Sequence, residues 1–158
     1  PGNWEAQKGW LPREYWRKLY ADNGFRWLEN EFYGDDRLVF YGAADPASGR
    51  IVTPWWPQDK RQRILLAHRP DTVIALDSLK TPDALPGLSF CGHTHGGQVR
   101  LPLIGPLASA STYGRFFDYG LFEHRKKSCK MVISSGLNHR SFPFRFNCRR
   151  EVVLITLT

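Results

Sequence analysis

Two histidines lie two positions apart within residues 92–98 (GHTHGGQ), a loop rich in glycine. Glycine lets a backbone turn sharply and approach an ion closely, so His93 and His95 can face one point. A neutral imidazole suits Zn, Fe, Mn, Co or Ni. A single histidine is more often a core or surface residue than a ligand, but His-x-His between glycines predicts a metal site.

A third candidate ligand, His68, follows the short apolar run 63–67 (RILLA). Residues 88–91 (LSFC) repeat this design and end just before Gly92 and His93. Both runs are typical of buried strands that deliver a residue at their carboxyl ends. Because ligands that are distant in sequence converge at such strand ends, the pattern favours one site for these histidines.

The elements that must position this site are predicted from apolar spacing and turn residues. Pro12 begins a helix of about three turns that Gly24 ends, and a turn at residues 34–36 joins two strands, expected at 26–33 and 37–41. A helix over residues 71–80 crosses between the two histidine-bearing strands. The remaining strands are expected at 119–124, 130–134 and 151–157. The class is α/β, with helices covering a mixed sheet.

Composition and charge limit the other possibilities. With 42% hydrophobic residues the chain can form a packed core, and no apolar run approaches the length of a membrane span. Three cysteines without Cys-x-x-Cys spacing favour neither a disulfide framework nor a Cys-rich zinc module. Residues 115–150 hold nine Lys or Arg against two acidic residues, a difference equal to the whole net charge of +7.

This basic segment predicts an anionic partner, although a solvated surface is an equally good interpretation. The candidate partners are a phosphorylated substrate, an anionic membrane surface that would make the protein peripheral to a membrane, and nucleic acid. Nucleic acid is not expected, because the chain has neither an aromatic-glycine RNA motif nor zinc-finger spacing.

Two segments, 64–71 (ILLAHRPD) and 92–102 (GHTHGGQVRLP), resemble the calcineurin-like metallophosphoesterases. The nearest branch is the often membrane-associated bacterial enzymes, which include UDP-diacylglucosamine hydrolases. Segments 134–137, 143–146 and 151–157 are similar to the closing strands of that branch. The resemblance implies one lobe of a four-layer α/β/β/α sandwich that hydrolyses a phosphate ester or anhydride, such as a lipid-linked nucleotide, with two divalent ions (Mn, Fe, Zn or Co).

The resemblance also implies the roles of individual residues at the catalytic centre. His68 and His93 match ligands of the second metal, and His95 matches a ligand of the first. Residues 1–5 (PGNWE) resemble a Gly-Asn-His-Asp/Glu block, which makes Asn3 an amide-oxygen ligand of the second metal. His139 and Arg140 are candidate phosphate contacts, with an ordinary loop role for His139 left open.

Two departures from the family pattern affect the expected chemistry. The sequence contains neither Asp-x-His nor Gly-Asp-x-x-Asp, since Leu38 stands where the second motif needs its last Asp. We therefore expect residues 1–158 to be the C-terminal part of a single domain whose N-terminal half is absent, and to be catalytically incomplete. A non-catalytic binding module on a degenerate fold is the alternative.

The other departure is Trp4, which occupies the position of a family histidine that contacts the scissile phosphate. Indole donates an N–H hydrogen bond but has no acidic proton to give to a leaving group. Trp4 is expected to pack or to donate a hydrogen bond. Glu5, which in the family often steadies that histidine, is expected to cap the helix start instead.

Overall fold

A six-stranded mixed sheet forms the centre of the protein and confirms the predicted α/β class. The computed structural model describes residues 1–7, 11–47, 49–79, 81, 84–124, 127–139 and 143–157. The sheet strands are β1 (Glu31–Gly34), β2 (Leu38–Gly42), β3 (Gln62–Leu66), β4 (Leu88–Cys91), β7 (Gly120–Glu123) and β8 (Lys130–Ile133). Their order across the sheet is β1-β2-β3-β4-β8-β7. A small separate hairpin joins β5 (Arg100–Leu101) to β6 (Gly105–Pro106).

The four central strands β2, β3, β4 and β8 run parallel, and the edge strands β1 and β7 pair antiparallel to their neighbours. Among the described residues, three α-helices accompany the sheet: α1 (Asn3–Gln7), α2 (Arg13–Asp22) and α3 (Pro70–Ser78). The helix α3 crosses over between β3 and β4, as the sequence predicts, and Pro70 occupies its first turn, where a missing N–H costs nothing. No helix in the described part of the chain is long and apolar enough to span a bilayer.

The core lies on the sheet face that α3 covers. Strand residues that alternate along β2, β3 and β8 point to it, among them Tyr41, Leu65 and Ile133, each at most 2% exposed. Leu76 of α3 packs into the same cluster. Truncating a side chain buried as completely as Leu65 typically costs about 2–5 kcal/mol, so this cluster fixes the strands whose ends carry the site.

Two strand predictions need correction. The strand predicted over residues 26–33 begins only at Glu31, because Asn30 has a φ of 54° that interrupts the extended backbone. The Asn30 amide is occupied there, accepting from the Ala44 N–H and donating to the Arg50 carbonyl.

The strand predicted at residues 151–157 is wrong for the structure described here. No described segment forms a ladder with it, and a strand needs a hydrogen-bonded neighbour. Its side chains are accordingly exposed, to 79% at Val152 and 93% at Leu154.

Candidate metal centre

The two histidine-bearing segments meet because their strands are parallel neighbours. Strand β3 ends at Leu66 and β4 ends at Cys91, so their carboxyl ends share one edge of the sheet. The pairing continues past the strands, since the Gly92 N–H donates to the His68 carbonyl over 3.1 Å. This backbone bond brings His93 beside His68.

Three side chains from distant parts of the sequence form a tight cluster at this edge. The Nε2 atom of His68 lies 2.7 Å from the Oδ1 atom of Asn3, and the Nδ1 atom of His93 lies 3.2 Å from the same oxygen. The two ring nitrogens are 2.9 Å apart, and the rings meet edge to face at 70°. Two ring nitrogens and one amide oxygen therefore lie within 3.2 Å of one another.

The spacing of these three atoms suits donors that share one ion. Ligands about 2.0–2.2 Å from a metal, at angles between those of an octahedron and a tetrahedron, lie roughly 2.8–3.6 Å from one another. The observed sides of the triangle, 2.7, 2.9 and 3.2 Å, agree to within a few tenths of an ångström. The residues therefore fit a divalent metal in number, element and spacing.

The electrostatics of the cluster also suit a ligand role. Burial lowers the pKa of His93 to about 4, and the neighbouring His68 and Arg69 act in the same direction. Burial likewise lowers the pKa of His68. Both imidazoles are thus neutral near pH 7, the form that offers a lone pair. Asn3 is neutral as well, so these three residues bring no negative charge to balance a divalent ion.

The loop that holds His93 and His95 is strained. Both residues have positive φ, 68° and 52°, in a region that non-glycine residues rarely adopt. The glycines that follow are needed for space, since a Cβ on Gly97 would lie 2.2 Å from the Pro106 Cβ. A Cβ on Gly96 would lie 2.7 Å from the Cys148 Sγ. Close packing against the 3-10 turn His95–Gly97 therefore maintains the loop's conformation.

His95 lies in this loop but outside the cluster. Its carbonyl accepts hydrogen bonds from the Gln98 N–H at 3.1 Å and the Cys148 thiol at 3.3 Å. Throughout the described ranges, no three His, Cys, Asp or Glu side chains come together as a metal site. His68, His93 and His95 thus do not converge on one ion by themselves. The metal roles of Asn3, His68, His93 and His95 stay predictions.

A cavity of about 470 Å³ opens beside the cluster and is lined in part by Trp4, Tyr20, Trp27, His68 and Phe90. The Trp4 side chain is 54% exposed at its rim. This open, aromatic-walled space next to the imidazoles is large enough for a small organic group.

Glu5 behaves as predicted and caps the start of α1. Its Oε2 atom accepts from the Gly2 N–H at 2.9 Å, and its Oε1 atom accepts from the Tyr20 hydroxyl at 3.0 Å. The carboxylate thereby fixes the segment that presents Asn3, and links it to α2.

The structure tests neither of the two predicted phosphate contacts, His139 and Arg140. His139 is half-buried, and its backbone N–H donates to the side chain of Asn138 at 2.8 Å. Arg140 lies outside the described residues. Neither observation tests a contact with phosphate, so both roles stay predictions.

A buried ion pair beside the cluster is missing from the sequence prediction. The Asp45 carboxylate, whose side chain is 0% exposed, accepts from Arg69 at 2.7 and 3.1 Å in a two-point contact. Arg69 directly follows His68, so the pair anchors the strand end that presents this imidazole. Asp45 follows the end of β2 much as His68 follows the end of β3. This shared position after a strand is the only sequence signal that could have identified Asp45.

The chain is similar to proteins named as phosphoester hydrolases. It is 35% identical over 99 residues to an uncharacterized metallophosphoesterase, YkuE, of Bacillus subtilis, covering 63% of this chain and 32% of that protein. It is 31% identical over 117 residues to the phosphodiesterase YaeI of Escherichia coli, covering 73% of this chain and 40% of that protein. The chain thus spans a third to two fifths of the length of these relatives.

No family model and no solved structure matches the chain. The printed names of these relatives are those of a metallophosphoesterase and a phosphodiesterase. The mixed sheet, with three donor groups at its carboxyl edge, is consistent with one lobe of a metallophosphoesterase.

Proposed function

We propose that this chain forms one side of a two-metal centre that hydrolyses a phosphate ester or anhydride. Asn3, His68 and His93 hold one divalent ion, and His95 contributes to a second. The observation that carries the proposal is the triangle of donor atoms, with sides of 2.7, 2.9 and 3.2 Å. The names of the relatives supply the reaction class.

The chemistry divides between the ions and this chain's own residues. Bound divalent ions polarise phosphoryl oxygens and lower the pKa of a water molecule. The residues of this chain orient the ligands. Thr94 lies between the two loop histidines, and its hydroxyl donates to the Asp118 carbonyl at 2.5 Å and accepts from the Gly96 N–H at 3.3 Å. Thr94 thereby fixes the turn and aims both imidazoles.

The proposal requires carboxylates from outside residues 1–158. All three clustered donors are neutral, whereas two ions held close together need a bridging negative charge. We propose that an upstream segment supplies it through the Asp-x-His and Gly-Asp-x-x-Asp motifs. The cavity beside Trp4 then receives the leaving group, for which a lipid-linked nucleotide is the proposed class.

A non-catalytic binding module is the second candidate, and the neutral donor set is the observation that favours it. Such a module would bind a phosphorylated ligand without turning it over. The two candidates differ in what a complete protein does, because only an enzyme consumes its ligand.

The test uses the full-length protein encoded by the native gene, treated with chelator and then reloaded with Mn, Fe, Zn or Co. Hydrolysis of bis-p-nitrophenyl phosphate should disappear on chelation, return with one of these metals, and be lost in His93→Ala. His124→Ala is the matched control, because His124 contacts Asp77 and follows β7 at the amino end of β8, opposite the carboxyl edge that carries the cluster, and should keep full activity. A wild-type protein that binds metal but shows no turnover of any phosphoester would favour the binding module.

A further inference from the structure

A second cavity, of about 560 Å³, lies beside the histidine loop, since its wall residues Cys148 and Arg100 contact the carbonyls of His95 and Gly96, and it is strongly basic. Four arginines line it: Arg100, Arg145, Arg149 and Arg150. None of the other described residues in its wall is acidic. The sequence predicts a basic segment over residues 115–150. The last three arginines of that segment, Arg145, Arg149 and Arg150, line this cavity.

The cavity wall is built from paired backbone segments. The Arg100 N–H donates to the Phe146 carbonyl at 3.0 Å, and the Phe146 N–H donates to the Gln98 carbonyl at 3.0 Å. The Cys148 thiol donates to the His95 carbonyl at 3.3 Å. The backbone that carries the arginines is therefore held against the histidine loop. This lowers the entropic cost of ordering that backbone when a ligand binds.

Two of the arginines position the wall. Arg100 is ion-paired with the buried Asp118. Arg145 donates to the Ser135 carbonyl at 2.7 Å, to the Asn138 carbonyl, and to the His95 carbonyl at 3.5 Å. Its positive charge is satisfied by carbonyl dipoles and is not cancelled by a carboxylate.

The other two arginines are available to a ligand. Arg149 and Arg150 are exposed, and within the described part of the chain neither has a carboxylate partner. Glu151, the next residue in the chain, already accepts from the Ser135 N–H at 2.8 Å and the Tyr119 hydroxyl at 3.1 Å. The cavity thus keeps a local excess of positive charge with unused guanidinium donors.

Elsewhere the basic segment is partly neutralised. Lys127 pairs with Asp77, and Lys130 pairs with Glu123 at 3.0 Å. Of the described cations in this segment that have no carboxylate partner among the described residues, Arg145, Arg149 and Arg150 lie at the cavity, and Arg115 is exposed elsewhere. A concave site with planar, two-point donors suits a compact phosphate group better than an extended polyanion.

We propose that this cavity binds a phosphate group of the substrate that is not itself hydrolysed. The inference rests on the proposed function and narrows it to substrates with at least two phosphate groups, one at the metal loop and one among the arginines. Arg149 and Arg150 contact that second group, and Arg145 supports it through charge.

The test is calorimetric titration of inorganic pyrophosphate into the purified full-length protein after its metals have been removed, so that pyrophosphate cannot bind through an ion. Arg149→Gln/Arg150→Gln should weaken Kd by about tenfold, the size expected for the loss of two solvent-exposed ion contacts. Arg37→Gln/Arg50→Gln removes the same charge from exposed positions that do not line the cavity and should leave Kd unchanged. Equal weakening in both variants, or no binding to the wild type, would overturn the proposal.

Two further arms separate this site from its alternatives. His93→Ala should lose metal yet keep pyrophosphate binding, so failure of the metal proposal and failure of this one are distinguishable. Vesicles of phosphatidylcholine with and without phosphatidate test whether the arginines serve a membrane headgroup. Binding to phosphatidate vesicles without binding to pyrophosphate would replace the proposed substrate site with a membrane-docking surface.

Discussion

The Nδ1 atom of His93 lies 2.9 Å from the Nε2 atom of His68, although 25 positions separate the two residues in the chain. Strand pairing produces this approach, because β3 and β4 are parallel neighbours whose carboxyl ends coincide. Two neutral imidazoles at this distance can share one proton in a hydrogen bond, or both can direct lone pairs at an ion. The Asn3 oxygen beside both nitrogens favours the ion, because it adds a third donor atom to the same point.

Residues 1–158 alone should not hydrolyse phosphodiesters. The donors that meet at the edge of the sheet carry no charge, and no bridging carboxylate joins them among the described residues. The isolated chain, supplied with Mn, should show no turnover of bis-p-nitrophenyl phosphate above buffer in a spectrophotometric assay. Robust turnover that His95→Ala abolishes would show that the ligands present here are sufficient.

Removing one partner of the Asp45–Arg69 pair should be strongly destabilising. Arg69→Met leaves a fully buried carboxylate without its cation, which typically costs about 3 kcal/mol or more. Lys18→Met breaks an exposed pair with Asp22 and should cost at most about 0.5 kcal/mol. Urea unfolding followed by tryptophan fluorescence measures the loss of stability in each variant. Equal denaturation midpoints for Arg69→Met and Lys18→Met would contradict the claim that the buried ion pair stabilises the fold more than the exposed one.

The sequence predicts the frame of the site better than its details. His68 and His93 are found because each follows a short apolar run, and runs of this kind become parallel strands whose ends coincide. Asn3 is recognised only through the family resemblance, since a lone asparagine is usually a turn or cap residue. The Asp45–Arg69 pair could not be predicted, because the fold brings the two residues together and no local sequence pattern indicates that contact. The segment 151–157 has a strand-like sequence, but no described neighbour pairs with it.

Glycine at position 97 should be required for stability of the histidine loop. Gly97→Ala combines a positive φ of 75° with a Cβ 2.2 Å from Pro106, so it should cost about 1–2 kcal/mol for the backbone and a further 1–3 kcal/mol for the clash. Gly105→Ala is the control, because its φ is 84° but nothing lies near the added carbon. The melting temperature should therefore fall further for Gly97→Ala than for Gly105→Ala. A larger loss in Gly105→Ala would refute the packing argument.

Trp4 should bias the complete enzyme towards good leaving groups. A well-placed acid raises the rate at which an alkoxide is expelled by roughly 10²–10⁴-fold, whereas a phosphate leaves readily as an anion. The full-length protein should therefore favour a UDP-sugar-type diphosphate over an alkyl phosphodiester. Trp4→His should raise kcat/KM for the alkyl ester disproportionately. If the wild type cleaves both equally well and the substitution changes neither, Trp4 is structural.

The central claim is that Asn3, His68 and His93 hold one divalent ion, and metal titration of full-length protein monitored by calorimetry and elemental analysis tests it most directly. We predict that His68→Gln, His93→Ala and Asn3→Ala each remove one bound ion while circular dichroism still reports a cooperative fold. His124→Ala should keep the wild-type stoichiometry, because His124 lies away from the cluster. Unchanged metal content in both His68→Gln and His93→Ala would show that the cluster is a hydrogen-bonded group and not a metal site.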